Sequence, residues 1–190
     1  MANDGGVDAA ALGLSPLRLK KLRRRFAVTD IDKSGYIDHN DYARLAQHFS
    51  KLNGLQAGSA EAQQFAATYH DAWERLRRGA DADGDGRVSP AEYIAYFAQE
   101  VNVRLYLDEL REQLLKMMDT DGDGRISRDE YVANSRVAGA PEAYATDLFG
   151  RLDRNGDGYL SREELHLAME EYYLGDDPDA PGNGLLGPLD

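Results

Sequence analysis

One twelve-residue pattern occurs four times in this chain of 190 residues, and it limits the possible folds more than any bulk property. The stretches are DIDKSGYIDHND at 30–41, DADGDGRVSPAE at 81–92, DTDGDGRISRDE at 119–130 and DRNGDGYLSREE at 153–164. Each has Asp at position 1, Asp or Asn at 3, Gly at 6, an apolar residue at 8 and an acid at 12. Acids this close repel one another, and no packed core asks for them. Asp-Gly pairs also mark ordinary turns that bind nothing. Chance does not explain the repetition, because each fixed identity has a background usage of roughly 5–10%.

A hard cation relieves the repulsion. Calcium takes 6–8 oxygens at roughly 2.3–2.6 Å, and the spacing D-x-[DN]-x-[DN]-G-x5-E supplies them. Side chains at positions 1, 3 and 5 converge when the loop curls, and Gly at 6 permits the sharp turn. Position 7 offers its backbone carbonyl, so its side chain is free to vary. Position 9 acts through water, and position 12 reaches back with both oxygens. The candidate ligands of the second loop are Asp81, Asp83, Asp85, Arg87 and Glu92. Those of the third are Asp119, Asp121, Asp123, Arg125 and Glu130, and those of the fourth are Asp153, Asn155, Asp157, Tyr159 and Glu164. Ser89, Ser127 and Ser161 stand at position 9. The first loop offers Asp30, Asp32, Ser34, Tyr36, Asp38 and Asp41, and it departs from the pattern. Ser34 replaces an acid or amide at position 5, and Asp41 is one methylene shorter than the usual Glu. Fewer oxygens and a tighter loop favour magnesium, which is smaller and octahedral. Asp38 compensates by adding a carboxylate. The first loop is therefore expected to bind calcium more weakly than the others and to tolerate magnesium.

Amphipathic helices flank every loop. Ser15 and Pro16 open the first as cap and first residue, with Leu19, Leu22 and Phe26 on one stripe. Tyr42, Leu45, Phe49 and Leu52 follow the first loop. Phe65, Tyr69, Trp73 and Leu76 precede the second, and Tyr93, Ile94, Phe97 and Val101 follow it. Leu107, Leu110, Leu114 and Met118 lead into the third loop, with Tyr131 and Val132 after it. Tyr144, Leu148, Phe149 and Leu152 lead into the fourth, with Leu165, Ala168, Met169 and Tyr172 after it.

These helix–loop–helix units resemble the EF-hand. The uneven spacing of the loops is similar to that of the sarcoplasmic calcium-binding protein and calerythrin family. The resemblance implies an all-α fold of four EF-hand units in two paired lobes. It also implies short β bridges between Ile37 and Val88 and between Ile126 and Leu160. An N-terminal extension (1–14) would precede a first lobe (15–101, loops 30–41 and 81–92). A second lobe (102–174, loops 119–130 and 153–164) and a tail (175–190) would follow. Extra length lies around Asn53, Gly54 and Gly58, where a turn leads into an unusually long helix. No Gly-, Pro- or Ser-rich linker separates the lobes, so they are expected to pack compactly.

Composition narrows the rest. Lys and Arg total 22 against 34 Asp and Glu, a formal charge of −12. Such a balance suits cations and argues against nucleic acid, whose phosphates require a basic surface. The absence of Cys excludes disulfides, thiolate metal sites and a cysteine nucleophile. His39, His48, His70 and His166 are scattered with no ligand pair at short spacing. No nucleophile elbow, phosphate-binding glycine loop or metalloprotease motif is present, so an enzyme is not expected. The N-terminus does not read as a convincing signal peptide, with Ala2 in second place myristoylation is not expected, and no segment is long and apolar enough to span a bilayer. A monomeric cytoplasmic protein that contacts no membrane is expected. The basic run RLKKLRRR at 18–25 reads as the helix entering the first loop, its charged face solvated or paired with acids elsewhere in the chain, rather than as a membrane, nucleic-acid or partner surface. The tail, rich in Gly, Pro and Asp, is expected to be irregular, and Leu185, Leu186 and Leu189 could fold back onto an apolar groove. Calcium binding, as an intracellular calcium/magnesium buffer or compact signal modulator, is the leading function. The alternatives are a sensor that opens a groove for a protein target and, last, a photoprotein-like cavity protein.

Overall fold

The computed structural model describes residues 7–52, 54–137 and 140–189, without the side chains of residues 52, 109, 112, 116 and 137. Asn53 and the Leu52 side chain therefore lie outside the described residues. The described residues form eight α-helices: α1 Pro16–Thr29, α2 His39–Leu52, α3 Ala60–Ala80, α4 Pro90–Ala98, α5 Glu100–Met118, α6 Arg128–Val137, α7 Glu142–Leu152 and α8 Arg162–Tyr173. Serine hydroxyls set several helix starts by accepting orphan backbone N–H groups. Ser15 caps α1 through Arg18 N at 3.0 Å, and Ser59 caps α3 through Ala62 N at 3.1 Å. The helix α3 runs for 21 residues, in keeping with the long entering helix read from the spacing.

The chain divides into two units. The first comprises residues up to Leu14 together with Leu22–Gln99, and the second comprises Ser15–Lys21 and Glu100 onward. In the first unit Ile37 and Val88 form an isolated antiparallel bridge, each donating its N–H to the other at 2.9 Å. Both are fully buried. Leu22, Phe26, Trp73, Tyr93, Ile94 and Phe97 are buried in the same unit. The rings of Phe26 and Tyr93 meet edge-on at 5.6 Å, a favoured aromatic geometry. In the second unit β1 (Ile126–Ser127) pairs antiparallel with β2 (Tyr159–Leu160), with Ile126 opposite Leu160. Leu148, Phe149, Leu152, Leu165, Met169 and Tyr172 fill the core beneath.

Two stripes differ from their sequence reading. Gln99 adopts an extended conformation (φ −82, ψ 116) and ends α4 without Gly or Pro. The helical phase resets there, so Val101 lies on α5 and is 61% exposed. On α5 the buried positions are Val103, Leu107, Leu115, Met117 and Met118, while Leu110 and Leu114 are half-buried. The tail packs against α7 and α8 through a 3-10 turn at Pro181–Gly184.

Within the second unit, Lys21 fixes the start of α1 to the end of α8. Its Nζ donates to Glu171 O and Gly175 O, both at 2.8 Å, at the C-terminal end of α8. That end carries unpaired carbonyls and partial negative charge, which suit an ammonium. The Tyr172 hydroxyl donates to Lys21 O at 2.8 Å, and the lysine is 1% exposed. Burial lowers its pKa to about 8, although Asp176 pulls upward. Above that value the native chain loses a proton that the unfolded chain retains, so stability rises with pH until the unfolded lysine also titrates, at roughly pH 10. The denaturation midpoint of the wild type should therefore rise relative to that of Lys21→Met from about pH 8 to roughly pH 10. Parallel curves would show that Lys21 does not titrate in the native state.

Candidate metal centres

Each loop is held in its curl by its own carboxylates. The position-1 Asp accepts backbone N–H groups from across the turn. Asp81 takes Gly84 N at 2.8 Å and Gly86 N at 3.2 Å. Asp119 takes Gly122 N at 2.7 Å and Gly124 N at 2.9 Å. Asp153 takes Gly156 N at 2.8 Å and Gly158 N at 2.9 Å, and Asp30 takes Ser34 N and Gly35 N, both at 3.0 Å. The residues at 3 and 5 follow suit: Asp85 N donates to Asp83 and Arg87 N to Asp85. Likewise Asp157 N donates to Asn155 and Tyr159 N to Asp157.

The position-12 acid closes the loop and starts the exit helix. One oxygen of Glu92 accepts Ala82 N at 2.9 Å, and the other accepts Ser89 N at 2.9 Å. Glu164 does the same with Arg154 N at 2.8 Å and Ser161 N at 3.0 Å. Ser89 and Ser161 return the bond to the backbone of Glu92 and Glu164, completing capping boxes. Ser127 and Glu130 exchange the same bonds. Position 9 is thus a helix cap as well as a loop position. Partial burial pushes the Glu130 pKa up, but hydrogen bonds from Thr120 and Ser127 outweigh this and hold it at about 2. Burial also pushes Glu92 and Glu164 up, and bonds from Ser89 and Ser161 bring each below the usual range.

In the first loop Asp41 fits into the same place. Its oxygens accept Ile31 N at 3.0 Å and Asp38 N at 2.9 Å, and it is fully buried. Burial raises its pKa against these bonds. Asp38 turns to Asn40 N at 2.7 Å. The Ser34 hydroxyl donates to Tyr36 O at 3.1 Å, so the substituted position 5 still braces the turn.

Carboxylate oxygens of Asp30, Asp32 and Asp41 lie within 4.8 Å of one another. So do those of Asp81, Asp83 and Asp85, and those of Asp119, Asp121 and Glu130. Among the described residues no three acids of the fourth loop draw that close, and neutral Asn155 stands among them. An all-oxygen donor set with converging negative charge fits a hard divalent cation.

Two features escaped the sequence reading. Position 4 has positive φ throughout: Gly84 at 74°, Gly122 at 77°, Gly156 at 71°, and Lys33 at 57°. The DGDG and NGDG strings carried that signal. The position-7 side chains, read as free to vary, stack in pairs. The Arg125 guanidinium sits 3.8 Å from the centre of the Tyr159 ring, and Arg87 sits 5.6 Å from that of Tyr36.

Known proteins share this arrangement. The family model for an EF-hand domain pair matches residues 78–136, and an EF-hand domain model matches 144–175, so the first loop lies outside both matches. Calerythrin of Saccharopolyspora erythraea is 29% identical over 82% of this chain and 91% of its own length. The solved structure of a Streptomyces coelicolor calcium-binding protein is 27% identical, covering 82% of this chain and 97% of that one, with a TM-score of 0.68. A sarcoplasmic calcium-binding protein from amphioxus superposes with a TM-score of 0.74 over 93% of this chain and 99% of that one; at 21% identity, this is a likeness of fold. The chain belongs to the EF-hand calcium-binding proteins, which bind Ca2+. Within that class it resembles calerythrin and the sarcoplasmic calcium-binding proteins.

Lys33 holds a left-handed conformation that costs a side chain with a Cβ about 1–2 kcal/mol. Lys33→Gly should therefore stabilise the metal-free protein by about 1 kcal/mol in denaturant unfolding. Asp41→Glu should raise the calcium affinity of the first loop and lower its expected tolerance of magnesium. Calcium titration in a magnesium background reads this, and unchanged curves would remove Asp41 as the cause of selectivity.

Proposed function

We propose that this chain is a cytoplasmic calcium/magnesium buffer or compact signal modulator, and not an enzyme. Its ligands would be the acids, Ser34 and Asn155 at positions 1, 3, 5 and 12 of the four loops, with the carbonyls of Tyr36, Arg87, Arg125 and Tyr159. Asp38 would contribute in the first loop. Two lobes with two loops each would carry the sites.

The observation that supports a buffer is where the adaptable apolar side chains lie. Met117, Met118 and Met169 are all buried, at 7%, 6% and 0% exposure. A sensor groove draws on accessible methionines to grip varied targets. Between α6 and α7, where Tyr131, Tyr144 and Leu148 line a hollow, the tail supplies Gly184 and Leu185. The space left is about 20 Å3, enough for about one water. No helix of the described residues is long and apolar enough to cross a membrane.

A sensor is the second reading. It is favoured by the Streptomyces coelicolor relative, whose structure is described as a basis for prokaryotic calcium-mediated regulation.

Isothermal titration of the chelator-stripped protein with calcium, with and without millimolar magnesium, separates the two. A buffer should show tight sites whose apparent calcium affinity falls with magnesium. Cooperative micromolar sites indifferent to magnesium, with calcium-dependent retention on a hydrophobic resin, would overturn the buffer in favour of the sensor.

A further inference from the structure

The tail is anchored by more than apolar contact. Asn183 Nδ2 donates to Asp177 O at 2.8 Å and to Pro178 O at 2.9 Å, which folds the segment on itself. The Tyr144 hydroxyl donates to Gly184 O at 3.2 Å. Gly182 N donates to Glu171 Oε2 at 2.8 Å. The fit is close. A Cβ on Gly182 would come within 2.3 Å of Ala168 O, and one on Gly184 within 2.5 Å of the Tyr144 hydroxyl oxygen.

Glu171 has a second partner. Its other oxygen, Oε1, pairs with the guanidinium of Arg154. Arg154 is position 2 of the fourth loop, and its backbone N–H donates to the closing carboxylate of Glu164 at 2.8 Å. One carboxylate therefore joins the tail to the loop. A cation that draws Asp153, Asn155, Asp157 and Glu164 to one point fixes the backbone of Arg154. A fixed Arg154 orients and neutralises Glu171, and an oriented Glu171 is the acceptor that Gly182 needs.

We propose that the tail is a strap whose docking on α7 and α8 is coupled to cation binding in the fourth loop through Arg154 and Glu171. The coupling rests on calcium binding by that loop, as proposed above. It is reciprocal: the cation tightens the strap, and the docked strap raises affinity for the cation by the same factor. Arg154 and Glu171 are 38% and 18% exposed. Solvent therefore limits the effect to the range of a partly exposed ion pair, about two- to fivefold.

Proton–nitrogen NMR of the full chain during a calcium titration tests this. The Gly158 amide, bonded to Asp153, reports the loop, and the Gly182 amide reports the strap. In the wild type, solvent exchange at Gly182 should slow about two- to fivefold with the same calcium midpoint as the Gly158 shift. Arg154→Ala should abolish the calcium response at Gly182 and raise the calcium midpoint at Gly158 by a similar factor. Arg154→Lys should restore part of both. Gly184→Ala, which dislodges the strap without touching the loop, should raise the Gly158 midpoint by a similar factor. If Gly158 titrates while Gly182 ignores calcium, or if Arg154→Ala leaves both midpoints unchanged, the coupling is wrong. If Gly158 itself does not respond, calcium binding by the fourth loop falls, and the coupling falls with it.

Discussion

The carboxylate at position 12 is the interaction on which each half of this molecule turns. It is the third residue of an exit helix, and it reaches both the cap of that helix and the backbone near the loop entrance. One side chain thus satisfies orphan N–H groups at a helix start and fixes the distance between two helices. The same group is the bidentate ligand of an EF-hand. Helix geometry and metal geometry therefore share a single side chain. At the first loop the role passes to Asp41, whose carboxylate is wholly buried and accepts the backbone N–H groups of Ile31 and Asp38.

Loops come in pairs for a related reason. Ile37 and Val88 exchange backbone hydrogen bonds, Ile126 lies opposite Leu160 in a two-stranded antiparallel ladder, and all four are fully buried. Beside each bridge an Arg at position 7 lies over a Tyr at position 7 of the partner loop. The strong negative charge of two neighbouring loops would otherwise drive them apart. The paired strands hold them together through the core, and the Arg on its ring places a cation between them. Four divalent ions would take the formal charge from −12 to −4, so metal binding removes most of the self-repulsion of the chain. Binding free energy then appears as folding stability.

What could be read beforehand was what repeats. The twelve-residue period located the loops, the residues at position 8 set the bridge register, and apolar spacing located the helices. The break at Gln99 left no mark, because an extended residue inside a polar helix end needs neither Gly nor Pro. Val101 was misplaced for that reason. The Arg–Tyr stacks were missed because position 7 was considered only as a carbonyl. Lys33 was missed because left-handed backbone is expected of Gly or Asn, and nothing in a lone Lys signals it. The candidate ligands were legible one by one, but their closeness was not. Three loops draw three acids within 4.8 Å: those at positions 1, 3 and 12 in the first and third loops, and those at 1, 3 and 5 in the second.

The tail shows how composition misleads when it is read without its surroundings. Gly, Pro and Asp predict irregularity, and the segment is indeed irregular between Leu174 and Pro181. Yet Gly182 and Gly184 are the residues that let it approach α8 and the Tyr144 ring, where any Cβ would collide. Asn183 spends its amide on the carbonyls of the preceding turn. A small-residue segment can therefore be the best fit to a nearly filled surface, because it brings backbone rather than side chains to the contact. Such docking is weak per residue, which suits a part that must respond to something else. Glu171, facing the fourth loop with one oxygen and the strap with the other, is placed where that response would be read.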